Sequence, residues 1–529
     1  MQQLTTLDRM FSSLDGATTN ATLGGLVLFD QPAPGAPVPD EAFMRRRLTE
    51  RLRYIPPMNR QVIKAPLPID HDYLGRPSRI DVADHLRTIR LEAPGTPAQL
   101  AAEVSRIMGT SIPKKRPLWD YTIIEGLEDG GLAHLLRIDH LVVDGGSMPS
   151  LWTLLSDEPA EELVADPHYG LPEPFFGKAE LVARQARDVL TKPVAMTRLN
   201  ARLAGWAVQQ VREHGPLDGP LALLAAPTRV LPLKPVRGIV NSALRKRGLP
   251  ESVPYIGGMR ARQTPFNGLI GSERKFIYAD LPLADFKNAG KALGGTINDA
   301  VLAVSAGALR RYMLDHGADV DTPVTVCIPV SLRQGGEEPR WANWVHMIFA
   351  PLPTHLEDPA ERVAFARNAV AKAKASYDAL PTHLLREASK FLPPIIFNAS
   401  VPLMTRVPAL SRSAWNVVVS NVRGPSRPDH FNGLRVKGYV PASFLSIGGG
   451  INITLQSYVD RIFFGLMTTP DQGPDFETLL DYMREELDAL VAAAAAHGES
   501  RPKRVAGPAT RATRSASAGA VNSRRRIKA

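Results

Sequence analysis

The stretch from Ala133 to Leu155 constrains the fold more than any other part of this sequence. Ala133–Asp139 reads as an extended run, Gly145-Gly146 forces a turn, and Met148, Leu151, Leu154 and Leu155 then recur at helical spacing. Strand, glycine turn and helix in direct succession belong to a mixed α/β protein, with Ser147 placed to cap the helix. His140 and Asp144 lie in that connection, where α/β enzymes commonly present catalytic side chains. Histidine is the usual general base for taking a proton from a hydroxyl near neutral pH. A carboxylate four residues on can hold the loop that presents the ring. Taken alone, His-x-x-x-Asp-Gly is a short pattern, and a structural histidine accounts for it better than a catalytic one.

A chain of 529 residues is too long for one ordinary core, so two domains are expected. The single cysteine, Cys327, excludes an internal disulfide and a cysteine-rich zinc site, and it fits a reducing compartment. Met1 to Asp8 carries neither a basic segment nor an apolar run, so no secretory leader is expected. No apolar stretch reaches the roughly eighteen residues of a spanning helix. The nearest, Phe391 to Met404, is broken by Pro393-Pro394 and Pro402 and reads as a surface or tunnel-lining segment.

The formal charge of +10 points toward nucleic acid until it is located. Nine basic residues and no acidic one fall between Arg501 and Ala529. Removing those nine from the 63 basic residues leaves 54 against 53 acidic ones. The body of the chain is nearly neutral. The basicity belongs to a tail rich in Ala, Ser, Gly and Arg that cannot bury a core, and residues 499–529 are expected to be disordered. A solvated tail with no dedicated role, attraction to anionic lipid headgroups and nucleic-acid binding are its readings in that order, and no nucleic-acid partner is expected.

Along the chain, residues 1–160 form a first mixed α/β domain carrying the His140 motif. Its strands are expected at Gly24–Phe29, Tyr121–Gly126 and Ala133–Asp139, with a helix after Thr96-Pro97. Residues 161–265, punctuated by Pro and Gly, read as a helical crossover. A second mixed region, 266–498, offers strands at Thr325–Val330, Asn416–Ser420, Ile451–Leu455 and Ile462–Leu466. The helix after Thr296 is apolar nearly all round and should lie at the centre of its domain. A last helix is expected from about Asp475, with an apolar stripe from Phe476 to Val491, ended by Gly498.

Absent motifs narrow the chemistry. There is no Gly-x-Ser-x-Gly elbow, no Gly-x-x-x-x-Gly-Lys-Ser/Thr loop and no His-Glu-x-x-His. Gly448-Gly449-Gly450 is not a dinucleotide fingerprint; a turn or a close backbone approach explains it. No metal site is expected.

Several separated motifs then agree. They are Asp8…Phe11…Gly24-Gly25-Leu26, Pro117-Leu118-Trp119, His140-Leu-Val-Val-Asp144-Gly145, Thr264-Pro-Phe-Asn-Gly268 and Asn298-Asp299. Pro329-Val-Ser-Leu-Arg333, Val419-Ser-Asn-Val-Arg-Gly-Pro425 and Gly450-Ile-Asn-Ile-Thr454 complete the series. With these in order, the chain resembles the bacterial wax ester synthase/acyl-CoA:diacylglycerol acyltransferase family over nearly its whole length up to the tail.

The resemblance implies an α/β fold of two chloramphenicol-acetyltransferase-like (CoA-dependent acyltransferase) domains with a tunnel between them. It implies an O-acyltransferase that moves a long-chain acyl group from acyl-CoA to the free hydroxyl of diacylglycerol, giving triacylglycerol, with no cofactor beyond its acyl-CoA substrate. In that family the second His of His-His-x-x-x-Asp-Gly is the base, and it maps to His140. The first His is Asp139 here, a departure bearing on acceptor choice and activity. If unpaired, Asp139 would raise the pKa of His140. Asp144 is expected to brace the loop, alone or with an arginine. Asn298 either donates a hydrogen bond within the site, where a well-placed oxyanion donor contributes about 3 kcal/mol, or belongs with Asp299 to a helix cap around Thr296. Arg333 and Arg423 read as loop anchors ahead of contacts to CoA phosphates, and Trp119 as core.

Three other readings stay open. The acceptor is a long-chain alcohol, giving wax ester; the chain is a condensation domain; or Asp139 marks a non-catalytic lipid-binding homologue. Because such substrates partition into lipid, the expected place is cytoplasmic and peripheral, on the inner membrane or on lipid inclusions.

Overall fold

The structure, a computed structural model, describes residues 1–4, 18–67, 71–77, 79–157, 163–171, 177–188, 190–191, 194–202, 205, 242, 261–331, 341, 345–378, 413–446 and 448–500. Asp8, Phe11, Arg333, the Phe391–Met404 segment, most of 161–265 and the tail from Arg501 lie outside the described residues.

In chain order the strands are β1 (Gln2–Gln3), β2 (Thr22–Phe29), β3 (Gln61–Ile63), β4 (Tyr73–Gly75), β5 (Leu86–Arg90), β6 (Trp119–Glu125), β7 (Ala133–Asp139) and β8 (Lys275–Pro282). They continue with β9 (Val324–Ser331), β10 (Val345–Leu352), β11 (Val417–Val422), β12 (His430–Phe431), β13 (Leu434–Ala442), β14 (Ile451–Tyr458) and β15 (Arg461–Thr468). One sheet runs β12-β13-β2-β7-β6-β5, a second runs β10-β9-β11-β14-β15-β8, and β1-β4-β3 make a small ribbon. The result is a mixed α/β molecule of two lobes, each built on one six-stranded sheet.

In the first lobe, every residue of β7 is buried, and its three polar side chains are each partnered there, His134 with Tyr121, Arg137 with Asp120 and Asp139 with Lys114. The helices Pro97–Met108 and Met148–Leu155 contribute to the same core. Thr96 and Gln99 close the first of these with a full capping box. Gly25 in β2 is required by close approach: a Cβ there would stand 2.6 Å from the indole Nε1 of Trp152. Trp119 is core, as expected, donating its indole N–H to the Met58 carbonyl at 2.8 Å and stacking on His85 at 4.2 Å.

The second sheet is two-faced. Ile451, Ile453 and Leu455 of β14 and Ile462, Phe464 and Leu466 of β15 pack on the helix layer, whose central helix is Ile297–Asp315, buried through Ala300–Leu309. The alternate residues Phe463 and Met467 instead join the core of the first lobe. The two lobes therefore share apolar packing along the exposed-by-alternation face of one sheet.

Two boundaries differ from expectation. Strands β12 and β13 fall within 266–498 yet belong to the first sheet, with β13 antiparallel to β2. Leu434 and Val436 alternate with exposed Arg435 and Lys437, and burial then becomes continuous from Gly438, where a Cβ would meet the Phe463 ring at 2.2 Å. Period alone gives a strand's faces and not its partner. The last helix spans Thr478–Ser500, so it starts after Asp475 and runs through Gly498, with Val491 facing outward at 39% exposure. Among the described residues no single helix is long and apolar enough to cross a membrane; one pair bent by 100°, Leu283–Ala292 with Ile297–Asp315, passes on length and composition. Much of that pair is core of the second lobe.

Candidate active site

The site begins where β7 ends. Asp139 closes the strand twice: its Oδ1 accepts the Leu141 N–H at 2.8 Å and its carbonyl accepts the Val142 N–H at 3.1 Å. Its other carboxylate oxygen pairs with the Lys114 ammonium. An aspartate at the head of a turn does what its short carboxylate does well, capping the amide two residues on. Asp139 is thus paired, and the charge that acts on the His140 ring is that of Asp144. This corrects the expectation of an unpaired carboxylate raising the base.

His140 follows with its own N–H donated to the Ala21 carbonyl at 2.8 Å. The ring is buried, 6% of the residue remaining exposed, and stands edge-on to Phe444 with centroids 5.5 Å apart and planes at 85°. Burial pushes the imidazole down to about 4, while a hydrogen bond to its own backbone carbonyl and the Asp144 charge pull the other way. A carbonyl only accepts, so the nitrogen facing it carries the proton. The second nitrogen of the neutral ring is then of the acceptor type.

Asp144 is fully buried. Its Oδ1 accepts the Ser147 hydroxyl at 2.8 Å and its carbonyl accepts the Ser147 N–H at 3.0 Å. Ser147 occupies the N-cap position of Met148–Leu155, but its backbone is helical (φ −87°, ψ −17°) and not extended as a capping residue's is, and the helix has no side-chain cap. Three residues before His140, Arg137 forks onto Asp120 at 2.9 and 2.6 Å and binds the Ile107 and Thr110 carbonyls, tying β7 to the end of the helix Pro97–Met108. Arg137 and Asp120 are both buried, the setting in which bidentate pairing has most effect on geometry.

The second lobe acts on the ring at one remove, through Phe444, which lies just past β13 and packs on the core of the first lobe. Its carbonyl accepts the Asn452 amide N–H at 2.9 Å, and Asn452 Oδ1 accepts the Thr454 hydroxyl at 2.6 Å. Both polar side chains are buried on β14, opposite the face of Ile451 and Ile453. The sequence marks this pair by polar residues at alternate positions in a strand otherwise apolar, although it assigns them no task. Lys114 and Phe444 carry no comparable signal.

The Asn298-Asp299 pair lies in the first turn of Ile297–Asp315. Asp299 accepts the Thr296 N–H and hydroxyl, each at 2.8 Å, and the Thr296 hydroxyl accepts the Asp299 N–H at 3.3 Å. This is a capping box, so Asp299 starts the helix. Asn298 is half-buried in its first turn, and no hydrogen bond joins it to His140 among the described residues. Arg423 is exposed just beyond β11. The Thr264–Gly268 and Gly448–Gly450 motifs meet: Asn267 donates to the Gly448 carbonyl at 2.8 Å, and a Cβ on Gly450 would fall 1.1 Å from the Phe266 carbonyl oxygen. Close backbone approach accounts for that glycine. No group of three or more His, Cys, Asp or Glu suited to a metal occurs among the described residues.

Comparison with known proteins agrees with this architecture. Residues 4–301 match the model of the wax ester synthase/diacylglycerol acyltransferase catalytic domain, and residues 341–491 match that family's C-terminal domain. A Mycobacterium tuberculosis protein provisionally named diacylglycerol O-acyltransferase is 30% identical over 493 residues, 92% of this chain and 98% of its own. The O-acyltransferase WSD of Acinetobacter baylyi is 27% identical, covering 92% of this chain and 96% of its own. Among solved structures, the wax ester synthase/diacylglycerol acyltransferase of Marinobacter aquaeolei VT8 shares the fold with a TM-score of 0.60 at 24% identity, over 94% of this chain and 100% of that one. The first condensation domain of the CDA synthetase matches at 0.51 and 16% identity, over 93% and 96%. The chain therefore belongs to the wax ester synthase/diacylglycerol acyltransferase family of acyltransferases.

Proposed function

We propose that this acyltransferase moves a long-chain acyl group from acyl-CoA to the free hydroxyl of diacylglycerol, with His140 as general base. The observation that carries the reading is the placement of His140, a buried imidazole immediately after β7 on which the charge of the buried Asp144 acts. Depressed by burial, the ring is unprotonated at neutral pH and ready to accept.

In the proposed step the hydroxyl oxygen attacks the thioester carbonyl carbon as His140 takes the hydroxyl proton. The tetrahedral intermediate collapses with cleavage of the carbon–sulfur bond, and the imidazolium returns its proton to the CoA sulfur. Atoms and charge balance without a covalent acyl-enzyme or any further cofactor. Asp144 favours the transient imidazolium. Asn298 is retained in this scheme as a donor toward the developing oxyanion once substrate is bound.

A long-chain alcohol is the second acceptor, favoured by the joint description of the family, wax ester synthase with diacylglycerol acyltransferase. Purified protein given labelled palmitoyl-CoA with each acceptor in turn separates the two. Faster product with diacylglycerol supports the first reading, and faster product with hexadecanol replaces it. Both acceptors partition into lipid, so we place the enzyme in the cytoplasm, peripherally on the inner membrane or on lipid inclusions. Recovery wholly in the soluble fraction of lipid-loaded cells would contradict that placement.

A further inference from the structure

A cavity of about 740 Å³ opens on the seam between the lobes, away from the His140 loop, none of whose residues line it. One wall is the helix Pro97–Met108, which presents the small side chains Ala98, Ala101 and Ala102; the other is β8, with Phe276 and Tyr278. The space exists because bulk is missing from that helix face. It is kept open by Ser105, whose Oγ accepts the Phe276 N–H at 2.8 Å and so sets the spacing of the two walls. Its volume lies in the ordinary range of small-molecule sites, about 300–1,000 Å³.

Arg274 also lines this cavity, with only 6% of the residue exposed. Its guanidinium donates to three backbone carbonyls, of Gly271 at 2.8 Å, Glu273 at 2.9 Å and Thr18 at 2.7 Å. Among the described residues no carboxylate pairs with it, and burial pulls it down to about 10 with no opposing charge to hold it up. The other two cations of the rim are already matched, Arg106 to Glu103 and Lys275 to Glu477. Buried charges in proteins are normally paired, because neutral dipoles replace hydration only in part. Among the described residues Arg274 is thus a buried positive charge on the wall of this cavity with no carboxylate against it, and the carboxylates of the lining are Glu273 and the already paired Glu477.

We propose that this cavity is a second ligand site, one that takes a long aliphatic chain ending in a carboxylate, with the head on Arg274 and the chain between the alanine face and β8. The site is separate from acyl transfer at His140, so its failure would leave the proposed reaction untouched.

The test is calorimetric titration of the full chain with dodecanoate below its micelle concentration, with methyl dodecanoate as the neutral analogue. Dodecanoate is expected to bind one per chain and the ester about tenfold more weakly or worse, the loss of one charge-assisted contact. Ala102→Trp fills the chamber from an exposed helix position without touching Arg274. It is expected to abolish dodecanoate binding while melting temperature and turnover of palmitoyl-CoA stay unchanged. Arg274→Gln should reduce the preference for acid over ester, and if that variant fails to fold, Ala102→Trp decides alone. Equal binding of acid and ester, or full binding by Ala102→Trp, overturns the proposal. So does one-for-one displacement of dodecanoate by CoA, which would give the cavity to the nucleotide of the thioester.

Discussion

The Phe444 ring meets the His140 imidazole edge-on at 5.5 Å, and the main chain that carries Phe444 is held from the other lobe by Asn452 at 2.9 Å. The base is therefore positioned by both halves of the molecule. Its backbone is fixed to Ala21 in the first, and Asn452 of the second holds the main chain of the residue that flanks its ring.

Asn452→Asp removes the donor to the Phe444 carbonyl while keeping size. It should lower kcat more than KM, and stability by about 1–3 kcal/mol. Thr454→Val, which only frees the Asn452 oxygen, should have a smaller effect on both. Steady-state kinetics beside urea unfolding would check this; a change confined to KM would remove Asn452 from the positioning of His140.

Lys114→Met leaves the buried Asp139 carboxylate without its cation. A loss of about 1–3 kcal/mol is expected, moderated because Lys114 is partly exposed. Asp139→Asn keeps an oxygen for the Leu141 N–H, so the double variant should be no less stable than Lys114→Met alone. A double-mutant cycle by denaturant unfolding measures the coupling, and additive losses would show that the pair does not hold the turn.

The pH dependence follows from burial. His140, depressed to about 4, must be neutral to act, so kcat/KM should stay flat from pH 8 to about 5 and fall below that. An ordinary histidine would give an inflection near its unperturbed value of about 6.5. The same depression acts on stability. The native state holds both buried rings unprotonated, His140 at about 4 and His134 at about 3, while the unfolded chain protonates near 6.5. Their contribution is complete above that value and is lost as pH falls through the native values, several kcal/mol in all. Unfolding midpoints at pH 7.5 and 5 would reveal the decline; an unchanged midpoint would contradict it.

Asp299→Ala removes a capping box and should cost about 1 kcal/mol with turnover unchanged. Asn298→Ala, whose amide is not committed to the cap, should lower kcat with little change in melting temperature. The opposite pattern would make both residues structural.

Much of this was legible in the sequence for a physical reason. A strand buried on both faces reads as a nearly continuous apolar run, as β2 does from Leu23 to Phe29, and a helix at the centre of a lobe has to be apolar all round, as Ile297–Asp315 largely is. Both patterns survive without knowledge of neighbours. The crossing of β13 did not show, since Leu434 and Val436 report a buried face and not that the partner is β2, some four hundred residues earlier. Ser147 has the right type for a cap, but the 3-10 turn Gly145–Ser147 runs straight into the helix and holds Ser147 in helical backbone, where its oxygen caps no amide. Lys114 and Phe444 come to the site only through tertiary packing, and neither residue type announces that from its place in the chain.

The central claim is that the His140 ring removes the acceptor's proton. It is tested most directly by ester formation from labelled palmitoyl-CoA and diacylglycerol with purified wild type and His140→Ala, beside a melting curve for each. The account predicts a loss of about 10²–10⁴-fold in kcat with palmitoyl-CoA binding retained and the fold intact. Wild-type turnover in a folded His140→Ala protein would contradict it.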